Sequence, residues 1–229
     1  MENFSYKFSN HIIVTSKHIK NYISYKFNIS KSKITVINNY INTNLFVKKN
    51  NIYNRYSNRI LFVGRLSKQK NLEELILAIS QTKYELDIIG EGEDRSKLLK
   101  LVKNHNLKVN FFGTIENNIL VDYYNKYKLF ILPSLVEGNP KSLLEAMACG
   151  CAVICSNVEG NNSIIKHGIN GYLVNTDKSS IKEAIVEIME NEKLQLEISN
   201  NSIKYVTEHC DLNKNLSTEI KIYNNLLNE

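Results

Sequence analysis

The sequence predicts a doubly wound parallel α/β sheet, on three observations. From residue 60 onward, short apolar runs alternate with segments of helical period; most of the runs are closed by Gly or Pro; and the last fifty residues are helical in period throughout. Right-handed crossovers between such strands place helices on both faces of the sheet.

Taken in order, His11-Ile12-Ile13-Val14, a helix to about Phe27 and Ile34-Thr35-Val36-Ile37 form one strand-helix-strand unit. The polar stretch Lys48 to Asn58 then marks a boundary. A unit this small buries little by itself, so it is either an extra edge of the main sheet or the tail of another domain. The apolar faces of Ile12, Val14, Ile34 and Val36 are then expected to lack neighbours and to make the chain sticky or oligomeric.

The main sheet begins with Ile60-Leu61-Phe62-Val63, closed by Gly64. Asn71, with Glu74 three residues on, reads as the N-cap of a helix that buries Leu72, Leu75, Ile76 and Ile79. Further strands are Leu86 to Ile89 before Gly90, Val109 to Phe112 before Gly113, Leu129 to Leu132 before Pro133, Ala152 to Cys155, and Tyr172 to Val174 after the turn Asn170-Gly171. From Ser179 to Leu227 the pattern is helical, with Ile181, Ala184, Ile185 and Ile188 on one face. Ligands of such sheets bind beyond the carboxyl ends of the strands, which directs attention to the loops after Val63, Ile89, Phe112 and Leu132.

Composition narrows the function classes. Of 229 residues, 43% are hydrophobic and 23% charged, as in a folded globular domain, and no apolar run reaches bilayer length. The net charge of +6 suits an anionic partner, though a lysine-rich composition accounts for it equally. A cytoplasmic location is the default. Cys149, Cys151, Cys155 and Cys210 lack metal-site spacing and read as buried thiols; the five histidines form neither a ligand set nor a Ser/His/Asp arrangement, so no metal is expected.

The strongest constellation is Glu137-Gly138-Asn139-Pro140-Lys141-Ser142-Leu143-Leu144-Glu145-Ala146-Met147-Ala148-Cys149-Gly150. Asn139 reads as N-cap, Pro140 as the first helical residue and Gly150 as a left-handed stop. The free amides at such a helix start bind phosphate. Two carboxylates eight residues apart suit two different diols, one on a sugar and one on a ribose. Taken singly, Glu145 is explained as well by a surface pair with Lys141, and Glu137 as a solvated loop acid. Arg65 and Lys70, in the loop after the first main strand, are placed to clamp a diphosphate, against the alternative of a basic solvated loop. Gly90-Glu91-Gly92 fails as a dinucleotide fingerprint, because Arg95 stands where the third glycine belongs, and reads as a tight turn.

Together these segments resemble the group 1 glycosyl transferases, also called glycosyltransferase family 4, whose architecture of two Rossmann-like domains is known as GT-B. The matching pieces, in the family's order, are Phe62-Val63-Gly64-Arg65-Leu66 with Lys70, Ile88 to Gly92, Phe112-Gly113, Leu132-Pro133-Ser134, and Glu137 through Gly150. The resemblance implies a retaining hexosyltransferase of polysaccharide biosynthesis that needs no cofactor or metal and uses a nucleotide-diphosphate sugar as substrate. It places Arg65, Lys70 and Glu137 at the reacting groups. Gly64, Gly113, Thr114, Gly138, Asn139, Pro140, Leu144 and Glu145 would hold the donor, with Glu145 on the ribose and the Gly113 region near the base. It makes residues 1–47 a remnant of the amino-terminal acceptor domain with the interdomain linker, and residues 48–229 the nucleotide-sugar-binding domain. The implied partners are the donor, a glycan or lipid-linked acceptor and no nucleic acid; a separate amino-terminal-domain chain and peripheral contact with the inner membrane face stay open. Tyr40 and Asn42 depart from the family's linker, where Gly and Asp are usual, and Ala152 stands where Pro is common. A non-catalytic nucleotide-sugar-binding subunit and a nucleotide-sugar epimerase are the competing readings.

Overall fold

The computed structural model describes residues 2–49 and 55–228. The expected boundary stretch from Lys48 to Asn58 therefore lies partly outside the described residues, at 50–54.

The first unit runs α1 (Glu2–Phe8), β1 (Ile12–Val14), α2 (Lys17–Phe27) and β2 (Ile34–Val36). Its two strands pair in parallel as a separate sheet, with Ile12 opposite Ile34, so the unit does not extend the main sheet. Helix α2 starts because the Ser16 hydroxyl accepts the Ile19 amide, and stops at Asn28, which is left-handed at φ 53°. The unit also closes a small core of its own. Ile12, Val14 and Ile34 are buried with Ile23 and Ile29, Val36 packs against them, and Tyr6 from α1 meets Phe27 at 5.0 Å between ring centres. The expectation of open apolar faces there is thus corrected: α1 and α2 cover them.

The second unit holds six parallel strands in the order β5-β4-β3-β6-β7-β8. The chain runs β3 (Tyr56–Val63), α3 (Leu72–Ile79), β4 (Glu85–Ile89), α4 (Arg95–Asn104), β5 (Val109–Phe111), α5 (Asn117–Lys126), β6 (Tyr127–Leu132), α6 (Lys141–Ala148), β7 (Ala152–Ser156), α7 (Glu159–Asn162) and β8 (Tyr172–Val174). Helices α8 (Lys178–Glu190) and α9 (Glu192–His209) complete it, and α10 (Leu212–Leu227) follows, lining a cavity with Asn10, His11 and Thr35 of the first unit. Residues 60–62, 129–132 and 152–156 are buried without a break, the pattern of parallel strands covered on both faces. Each large aliphatic or aromatic side chain so buried contributes roughly 1.5 to 3 kcal/mol. The linker joins this unit before residue 48, since Ile41 and Phe46 pack in the large core and Ile41 bridges backbone to backbone with Asp211.

Two helix starts differ from expectation. Asn71 holds the N-cap position of α3 as expected, but it is left-handed at φ 57° and its side chain does not cap: its amide donates to the carbonyls of Pro133 (3.2 Å) and Thr176 (2.8 Å), while Glu74 accepts the Lys178 amide instead of reaching back. Helix α6 begins at Lys141 with extended Pro140 in the capping position, so Asn139 lies outside the helix. Its end is as expected, with Gly150 left-handed at φ 73°. There Arg55 donates to the carbonyls of Cys149 (2.5 Å), Gly150 (2.7 Å) and Tyr127 (2.9 Å), satisfying acceptors that a helix end leaves open.

The four cysteines are buried and unbridged; burial pushes the Cys151 thiol up to about 11 and that of Cys210 to about 12. One charged group is buried within the sheet. Asp87 on β4, 1% exposed, accepts from Arg59 (2.8 and 3.0 Å), Asn110 (2.7 Å) and Tyr127 (2.6 Å), and Arg59 also pairs with Glu85 at 2.5 Å. Among the described residues, no helix is long and apolar enough to cross a membrane.

Candidate functional site

Strand β3 lies between β4 and β6, and the chain leaves its two neighbours in opposite directions, outward through β4 to β5 and outward through β6 to β8. Adjacent strands whose connections diverge leave a crevice beyond their carboxyl ends, where ligands of such sheets bind. The loops after β3 and β6, which carry Arg65, Lys70 and Glu137, both open onto that crevice.

These loops are tied together. The Leu135 amide donates to the Gln69 carbonyl (2.8 Å), and the Gln69 side chain donates to the Val136 carbonyl (2.7 Å). Lys70 Nζ lies 2.5 Å from Glu137 Oε1, which also accepts from the Ser134 hydroxyl at 2.6 Å. The Glu137 side chain is only 7% exposed, so it is a fixed and paired carboxylate, not a solvated loop acid. Lys70 is correspondingly not a free cation. Arg65 is: it is exposed, and no carboxylate pairs with it among the described residues.

The turn after β4 packs beneath. A Cβ at Gly90, where φ is 136°, would collide with the Gly64 carbonyl, and one at Gly92 with that of Leu66. The Gly90 amide donates to the Gly113 carbonyl (2.8 Å), which joins the loop after β5 to the same crevice. The glycines of Gly90-Glu91-Gly92 therefore allow close backbone packing, as the tight-turn reading expects. Gly113 is left-handed at φ 70°, and Thr114 beside it is exposed.

Beyond Glu137 the chain enters α6 with no side chain capping its first amides. Those of Lys141, Ser142 and Leu143 have no acceptor within the helix, and the dipole makes that end positive. The lead-in is clamped from both sides. Asn139 donates from its side chain to the Thr15 carbonyl (3.3 Å), its own carbonyl accepts from Asn39, and its Oδ1 is buried without a partner. On the far side, a Cβ at Gly160 would strike the carbonyls of Glu137 and Gly138.

The two glutamates of the segment face two different cavities. Glu137 and Gly138 line a cleft of about 270 Å³ between the units, closed opposite by Ser16, His18 and Ile19. His18 on α2 reaches Glu159 on α7 at 2.5 Å across it. Glu145 lines a second cavity of about 310 Å³ with Lys141, Asn117, Phe46 and Tyr40. Its Oε2 accepts from the hydroxyl of fully buried Tyr124 at 2.9 Å. Burial raises the Glu145 pKa, while the Tyr124 hydrogen bond and the Lys141 charge oppose that rise.

Of the expected donor contacts, Leu144 is fully buried in the core, and its amide bonds to the Pro140 carbonyl (3.4 Å). Pro140 is buried as well. Sequence reasoning gave no role to Ser134, Tyr124, Asn39 or Thr15. Only Ser134, three residues before Glu137, carries a local signal. Among the described residues, no group of three or more His, Cys, Asp or Glu is placed to hold a metal.

The family model for glycosyl transferases group 1 matches residues 44–205, a span that contains the crevice, α6 and both glutamates. The chain belongs to the group 1 glycosyl transferases. It is 28% identical over 237 residues to an uncharacterised glycosyltransferase of Methanocaldococcus jannaschii, covering 97% of this chain and 60% of that one. It is 32% identical over 153 residues to an α-1,4-N-acetyl-D-galactosaminyltransferase of Campylobacter jejuni named for an undecaprenol-linked acceptor, covering 63% of this chain and 42% of the other. In fold it is similar to the sucrose-phosphate synthase of Thermosynechococcus elongatus (TM-score 0.90, 24% identity, 99% of this chain and 60% of that one). It is likewise similar to Anabaena HepE, solved with UDP and glucose (TM-score 0.87, 18% identity, 97% and 65%). As a group 1 glycosyl transferase, the chain has the Rossmann-like sheet of the GT-B architecture, and it spans about 60% of the length of the M. jannaschii relative.

Proposed function

We propose that this chain is the donor-binding half of a retaining family 4 hexosyltransferase, which moves a sugar from a nucleotide diphosphate to a glycan or lipid-linked acceptor. The observation that carries the reading is the separation of the two glutamates into two cavities on either side of the positive end of α6. A nucleotide sugar has the same three parts in the same order: a polyol at one end, a diphosphate, and a ribose diol at the other. Glu137, with the backbone of Gly138, takes the transferred sugar in the cleft. Glu145 accepts from the ribose through the oxygen that Tyr124 leaves open. The α6 amides, Arg65 and Lys70 hold the diphosphate and stabilise the charge that develops as its bond to the sugar breaks, with no cofactor assigned.

Arg65→Ala is expected to weaken binding of UDP, ADP or GDP, whichever binds, by about 10- to 100-fold, the equivalent of ~1.5 to 3 kcal/mol for a charge-assisted contact. Binding of the corresponding nucleoside should be unchanged. Calorimetric titration decides it, and equal losses for diphosphate and nucleoside overturn the role. Lys70→Ala should also loosen the protein, because it strips Glu137 of its cation.

The glutamates are expected to separate by ligand. Glu145→Gln should weaken the nucleoside diphosphate itself, whereas Glu137→Gln should act only once a sugar is attached. The opposite pattern would exchange their roles. Because burial raises its folded pKa, the folded chain holds the Glu145 proton more tightly than the unfolded chain does, so ionisation there lowers stability as pH rises past the ordinary carboxylate value. Nucleotide binding, which uses the ionised form, should fall as pH drops through the raised value, and Glu145→Gln should remove that dependence.

A non-catalytic nucleotide-sugar-binding subunit is the competing reading. Turnover on addition of a separate acceptor-domain chain distinguishes a split enzyme from a binding subunit.

A further inference from the structure

We infer that Tyr40 is a specificity-determining residue of the donor site, an aromatic wall on which the nucleobase stacks; the inference rests on the donor-site reading above. Tyr40 lines the same 310 Å³ cavity as Glu145, Lys141, Asn117 and Phe46; of these Asn117 is exposed and Phe46 is buried. The volume lies at the lower end of the roughly 300 to 1,000 Å³ of small-molecule sites, suited to one nucleoside. The chemistry also suits one: a carboxylate for the ribose diol, amide groups for a base edge and a ring for the base face.

The wall is held in place. The Ile41 amide donates to the Cys210 carbonyl (3.0 Å) and the Leu212 amide to the Ile41 carbonyl (3.0 Å), which fixes the linker to the start of α10. Further along α10, the Glu219 carboxylate faces the Tyr40 phenol, whose pKa is raised first by burial and then by that charge. On the other side, Phe46 meets Tyr124 edge-on at 6.0 Å between ring centres, and Tyr124 holds Glu145. The ring and the carboxylate thus belong to one braced frame. Asn42 keeps its turn by accepting the Asn44 amide at 3.0 Å, and does so without placing a second negative charge beside Glu145.

The test compares Tyr40→Gly, Tyr40→Leu and Tyr40→Phe in titrations of the full chain with UDP, ADP and GDP, the matching nucleosides, and inorganic pyrophosphate. Loss of a base–aromatic stack should weaken nucleoside and nucleoside diphosphate alike, by about tenfold or more, for Gly and Leu. Phe should bind as the native chain does, and pyrophosphate should bind equally to all. Leu fills the space without a π face, so native affinity in Tyr40→Leu overturns the stacking role even where the Gly variant folds poorly. An equal loss for pyrophosphate overturns it too. Failure of the native chain to bind any nucleoside diphosphate would overturn the donor-site reading and this inference with it, whereas native binding with indifferent Tyr40 variants overturns this inference alone.

Discussion

Asp87→Ala is expected to lower the unfolding free energy by about 3 to 5 kcal/mol, the usual cost of removing one partner from a buried charged network. Asp87 is the acceptor for three donors on three different elements: Arg59 of β3, Asn110 of β5 and Tyr127 of β6. Its loss leaves the Tyr127 hydroxyl buried without an acceptor, at ~1 to 3 kcal/mol, whereas the exposed Asn110 amide turns to water. Arg59 keeps Glu85 at 2.5 Å, which holds the total toward the lower end. Asp87→Asn preserves one acceptor oxygen and should cost less. Urea titration at neutral pH reads both. A loss under ~1 kcal/mol for the alanine variant would show that the network adds little beyond what apolar packing supplies.

Why that network escaped sequence reasoning shows where such reasoning stops. Leu86-Asp87-Ile88-Ile89 reads as an apolar strand with one acid in it, and only the strand register, which brings Leu61 and Asn110 beside Asp87, reveals that the acid is paired. Register between distant strands has no local signature. Apolar runs closed by Gly or Pro do, because burial on both faces and a chain reversal are local demands, and so the six strands were legible. The start of β3 at Tyr56 was not, since its exposed first turns carry polar residues.

The candidate site divides the same way. Helix α6 and its left-handed stop at Gly150 were legible because helical period and a terminal glycine are short-range features. The position of the Asn71 cap was legible but the use of its side chain was not, and Asn139 lies one residue before the cap: both side chains tie distant loops, Asn71 to Pro133 and Thr176, and Asn139 to Thr15. The pairing of Lys70 with Glu137, 67 residues apart, depends on β3 and β6 being neighbours, which strand order alone supplies.

The largest expected effect is on turnover. Among the described residues, the small unit faces the cleft beside Glu137 through Ser16, His18 and Ile19, and the chain spans about 60% of the M. jannaschii relative. Sugar transfer needs the acceptor hydroxyl held against the sugar carbon while the diphosphate departs, with water kept out; holding two reactants in register lowers a barrier by ~7 to 11 kcal/mol. On the donor-site proposal, this chain by itself supplies charge stabilisation at Arg65, Lys70 and α6 but not that alignment. The isolated chain is therefore expected to bind a nucleoside diphosphate yet transfer sugar about 10⁵- to 10⁸-fold more slowly than a complete two-domain enzyme. Release of nucleoside diphosphate, followed with a panel of donor sugars and with glycan and lipid-linked acceptors, measures it. Adding a separately expressed acceptor-domain chain should raise the rate if the enzyme is split. Multiple turnover by the monomeric chain alone would mean that the small unit already supplies the acceptor wall, and the half-enzyme reading would have to be given up.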